Sequence, residues 1–62
     1  MTWTRGFKSS NVAELAEQIE RMEYRLSSEH PDCVVRVKAV SSSVDRMGFV
    51  HALVVFEGRE TV

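Results

Sequence analysis

The chain has 62 residues, a formal net charge of −1 and a single cysteine. That length allows one domain, residues 1–62, and one cysteine excludes an internal disulfide as its staple. A near-neutral balance gives no general attraction to nucleic acid or anionic membrane, and no apolar run approaches the ~20 residues of a membrane span. A domain this small buries only about 60% of the surface its unfolded form exposes. Tight packing or a partner copy must then supply the remaining stability. Met1 to Gly6 holds no apolar core of a secretory signal, and a lone thiol suits a reducing compartment. A cytoplasmic setting is expected.

The first expected element is a strand over Thr2 to Phe7, where Trp3, Arg5 and Phe7 alternate with Thr2, Thr4 and Gly6. A helix follows from about Val12 to Ser28. Val12, Leu15, Ile19, Met22 and Leu26 are spaced 3-4-3-4 and form one apolar stripe, which Ala16 widens. Asn11 is a good N-cap, and Glu14 is placed to answer it as a capping box. Glu17 and Arg21 suit an i,i+4 ion pair. Pro31 disfavours helical geometry at His30 and ends the element. Two heptads are too few for a coiled coil, so the stripe reads as a helix laid on a sheet.

Two further strands are expected, at about Cys33 to Val40 and Phe49 to Glu57. In the first, Cys33, Val35, Val37 and Ala39 are all apolar, while Val34, Arg36, Lys38 and Val40 are mixed. In the second, both faces are largely apolar. The connection Ser41 to Gly48 reads as a hairpin turn. Pairing Val40 with Phe49 puts Val37 opposite Ala52 and keeps the two apolar faces together. Fraying is expected from Arg59 onward. The fold class is α+β, in the order β-α-β-β, with a three-stranded antiparallel or mixed sheet of strand order 1-3-2. The outer strands are parallel to each other, and the helix is a right-handed crossover on one face.

One helix covers one face. The other is left with Val34, Val40, Phe49, Leu53 and Val55, joined by Trp3 or Phe7, a patch larger than monomers usually expose. These residues are the expected contact of a homo-oligomer. The bland alternative is a scatter of exposed valines with ordinary β propensity.

No motif points to catalysis. His30, Asp32 and Cys33 are too few for a zinc site, because the other histidine, His51, is distant in sequence. They read as a turn followed by a core thiol. No metal and no cofactor is expected. Arg36, Lys38 and His51 share the face away from the helix by parity, with Arg5 near them and Trp3 able to stack on a ring. These five are candidate contacts for a small ligand such as a phosphate or a flavin tail; nucleic acid is the weaker alternative. Arg36 and Lys38 also suit protection of an edge strand.

The β-α-β-β layout with a long final hairpin resembles the dodecins, small flavin-binding proteins that assemble into hollow dodecamers. The likeness covers nearly the whole chain. It includes Asp32 at the entry to the second strand, where Cys33 stands in place of their flavin-stacking Trp. Their last-strand Gln has no counterpart among His51 to Val55. The resemblance implies flavin binding or storage as an alternative function. Val12-Ala13-Glu14-Leu15 through Ile19, and Val50 through Phe56, are also similar to very short bacterial and phage proteins, including a small sporulation-associated family. No activity is implied by that second likeness. The expected function is a small non-enzymatic interaction or assembly protein whose partner is itself.

Overall fold

The computed structural model describes residues 1–61. Its elements are β1 (Thr2–Ser9), α1 (Val12–Glu29), β2 (Cys33–Val44) and β3 (Val50–Glu60). They form one three-stranded sheet in the order β1-β3-β2. Both outer strands run antiparallel to β3, so β1 and β2 are parallel to each other with α1 as the crossover. β3 is central because it is the strand that is apolar on both faces.

The helix begins where its sequence signal lies. Asn11 is extended, and its side chain accepts the Glu14 N–H at 2.8 Å. The reciprocal half of the capping box is absent. The Asn11 N–H goes to the buried Ser9 hydroxyl at 3.3 Å, and the Glu14 carboxylate takes the Ser10 hydroxyl instead. Leu15 and Leu26 are buried, and Ile19 and Met22 pack beside them. Val12 is 68% exposed, against the expected stripe. At about 100° per residue it stands furthest round from the Leu15–Leu26 line, on the first residue of the helix.

The core is small. Leu15 and Leu26 meet Val35, Ala52, Val54 and Phe56 of the sheet, with Trp3, Phe7 and Val50 packed at the margin. Gly58 is part of this arrangement. A Cβ there would stand 2.7 Å from the Trp3 ring, so glycine is what lets the indole approach β3 this closely.

Two features of the β2–β3 hairpin differ from the sequence reading. Strand β2 runs on through Ser41, Ser42 and Ser43 to Val44, which pairs with Val50, so the expected Val40–Phe49 pairing does not occur. The turn itself is Asp45 to Phe49. Gly48 has φ +86°, and the Asp45 carboxylate accepts the N–H groups of Met47 and Phe49 at 2.9 and 3.0 Å. The second difference is a β-bulge. Val37 pairs with Phe56 and Ala39 with Val55, leaving Lys38 as one extra residue. The simple odd–even rule therefore holds from Cys33 to Val37 and reverses beyond. From Arg59 to Thr61 there is order rather than fraying, and Val62 lies outside the described residues. β3 continues to Glu60, and the Thr61 N–H donates to the Asp32 carbonyl at 3.0 Å.

The molecule is long and thin, 45 × 16 × 12 Å. Its radius of gyration is 12.7 Å, where a compact chain of this length has about 10.6 Å. It exposes 4664 Å2, where a compact monomer of its mass exposes about 4,100 Å2.

Candidate functional site

Directly opposed residues of antiparallel strands point to the same side of a sheet. The register therefore assigns each side chain to a face. Trp3, Arg5, Phe7 and Ser9 oppose Phe56, Val54, Ala52 and Val50, on the helix side. Thr2, Thr4, Gly6 and Lys8 oppose Glu57, Val55, Leu53 and His51, on the uncovered side. From β2, Val34 and Arg36 reach the uncovered side before the bulge, and Ala39, Ser41 and Ser43 after it.

The middle of that face has a simple relief. Leu53 and Val55 stand in the central strand, flanked by Gly6 and Thr4 on one side and Ser41 and Ala39 on the other. Large side chains form a ridge, and small ones form a shelf along each flank. Leu53 is 53% exposed and Val34 44%. Gly6 is not explained by the fold of one copy. Its φ is not positive, and a Cβ placed there meets nothing within 4 Å. Glycine in a strand interior weakens it and often marks a close approach by another group.

Four of the five expected contact residues lie here: Val34, Phe49, Leu53 and Val55. Phe49 sits just before β3, and the Lys8 ammonium lies 4.5 Å over its ring. Val40 does not belong to this face. The extra residue at Lys38 turns it to the helix side, opposite Val54, where it is 52% exposed. Trp3 and Phe7 do not join the face either, since both pack against the core.

The five candidate ligand contacts are not gathered. Arg36 and Lys38 line a shallow groove of about 510 Å3 with Arg59, Glu57, Val34 and Val37. Arg59 was not singled out from the sequence. It enters because Val34 pairs with it once the strands extend to their full length. His51 lies on the same face but at the other end, six residues along β3 from Glu57, roughly 20 Å away. Trp3 and Arg5 are on the helix side. The Trp3 ring lies 4.9 Å from that of His30, and the Arg5 guanidinium donates to the Thr4 carbonyl.

His51 is tied to the turn. Its Nε2 is 2.7 Å from the Asp45 carboxylate. That hydrogen bond holds the Asp45 carboxyl below its ordinary value of 3.8, aided by the Phe49 and Met47 N–H groups and the charge of His51, while desolvation opposes them. Cys33 is half-buried at the start of β2. Among the described residues, no three His, Cys, Asp or Glu side chains are grouped to hold a metal. Among the described residues, no helix is long and apolar enough to cross a membrane. No protein family, curated protein or solved structure matches the chain.

Proposed function

We propose that this protein is a small non-enzymatic assembly module of the cytoplasm that joins copies of itself through the uncovered face of its sheet. The observation that carries the reading is the Leu53–Val55 ridge beside Gly6, an apolar ridge with a vacancy that one copy has no use for. The surface supports it. The chain exposes on the order of 600 Å2 more than a compact monomer, close to what each partner contributes to the smallest stable interfaces. An elongated body with six buried apolar residues among those described has little margin of its own.

Sedimentation at micromolar concentration tests this. The unmodified chain should sediment as an oligomer, and Leu53→Lys should shift it toward monomer. A 7.1 kDa particle throughout the micromolar range would overturn the reading. The groove at Arg36, Lys38 and Arg59 favours a second reading, an anionic small-ligand binder of the flavin-tail or phosphate kind. A yellow colour carried through purification, and lost in Arg36→Ala, would support that reading over the first.

A further inference from the structure

The net charge of −1 conceals two opposed surfaces. On the uncovered side of the sheet, among the described residues, stand Lys8, Arg36, Lys38 and Arg59 with two carboxylates, Glu57 beside Arg59 and Asp45 beside His51, so cations are in excess. Helix α1, on the opposite side of the molecule, carries five glutamates and two arginines. Both arginines are already engaged, Arg21 with Glu17 and Arg25 with Glu29. Among the described residues, Glu20 and Glu23 have no cationic partner. They lie with Tyr24 and Ser27 along the flank of α1 that adjoins Val35. Tyr24 is 79% exposed, an aromatic ring standing in water beside that acidic flank.

Given self-association through the sheet face, on which this step rests, the charges select what the face meets. A two-fold face-to-face contact would bring together two surfaces that each carry an excess of cations, and like charges brought together across an interface cost affinity. The acidic flank of α1 carries the complementary charge. Its exposed tyrosine also offers an apolar body for the shelf that Gly6 leaves beside Leu53. We infer that the assembly is head-to-tail: the basic sheet face of one copy docks on the Glu20–Glu23–Tyr24 flank of the helix of the next. Such a contact is heterologous. Each added copy presents a fresh helix and a fresh sheet, so growth continues to a ring or a filament.

Two variants test the inference, each blocking one surface. Leu53→Lys spoils the sheet and keeps the helix flank. Glu20→Lys with Glu23→Lys reverses the flank and keeps the sheet. The unmodified chain should exceed dimer mass with rising concentration and dissociate as salt is raised. Each variant alone should be monomeric, with an unchanged far-ultraviolet circular dichroism spectrum. A one-to-one mixture should sediment at twice the monomer mass and grow no further, because each partner supplies the surface the other lacks. If the lysine pair disturbs the helix, Glu20→Gln with Glu23→Gln carries the same test in milder form. A flank variant as oligomeric as the unmodified chain, or a mixture that remains monomeric, overturns the head-to-tail inference and leaves self-association standing. An unmodified chain that is monomeric, or a Leu53→Lys chain that assembles unchanged, removes the underlying reading as well.

Discussion

Gly6 and Gly58 show how one residue type carries two meanings. At Gly58 the neighbour that forbids a side chain is inside the molecule, the Trp3 ring. At Gly6 no such neighbour exists. A sequence reader sees two strand glycines and cannot separate them, because the difference lies in what stands above each. Asp45 is the other residue on which local structure turns. Its carboxylate holds the Met47 and Phe49 N–H groups and the His51 ring, and its folded value lies below 3.8. A carboxyl lowered on folding contributes stability that is complete above the unfolded value and is lost as pH falls through the folded one. Melting temperature should therefore drop more steeply on acidification below about pH 4 in the native chain than in Asp45→Asn. Equal slopes in the two proteins would show that the turn does not depend on the ionised carboxylate.

At the scale of elements, the helix was legible and half of the hairpin was not. The 3-4-3-4 stripe located α1 to within one residue at its C-terminal end, since Leu15, Ile19, Met22 and Leu26 do face the sheet. Leu15→Ala should cost about 2–5 kcal/mol, while Val12→Ala, at an exposed position, should stay within about 0.5 kcal/mol. Denaturant titration of the two variants checks the assigned register. Strand order followed from the apolar character of β3, which is a property of composition and survives errors of register. The pairing of β2 did not follow, for two physical reasons. Three successive serines have low strand propensity, so a chain reader places the turn there, although pairing with Leu53, Ala52 and His51 overrides that preference. A bulge adds one residue without leaving any mark in the alternation, so every parity argument beyond Lys38 comes out reversed. Val40 was misplaced by that single residue. Leu53 and Val55 fall on the expected face because they belong to the strand without the bulge, and Phe49 does so because it directly precedes that strand.

The whole molecule is a thin plate with one covered side. On the outer strand β2, Val40 and Val44 are exposed on the helix side. The candidate site was legible as a face but not as a relief. The flanking small residues come from strands distant in sequence, and only the register brings Gly6, Leu53 and Ser41 into one row. A body with this surface should gain stability from its partner by mass action. The midpoint of thermal unfolding should rise with total protein concentration across the micromolar range, which scanning calorimetry at several concentrations reads directly. A midpoint independent of concentration would mean that the folded copy stands alone.

The extra residue in β2 also bears on which lengths of chain this fold accepts. Deletions inside strands are ordinarily the most damaging kind, because everything downstream changes sides. Here the pairs on either side of Lys38, Val37 with Phe56 and Ala39 with Val55, are already consecutive rungs of a regular ladder. Removing Lys38 would join those rungs and disturb no other pair. The shortened chain should fold with its present register, and amide exchange along β3 should keep its present pattern. What changes is the outer border of the sheet. A bulge with a lysine at its apex interrupts the row of unpaired N–H and C=O groups along β2 and keeps other strands from adding to it. Without it that row runs unbroken, and the deletion should show itself as a gain in fibril formation, measured by thioflavin fluorescence, in a protein whose fold is intact.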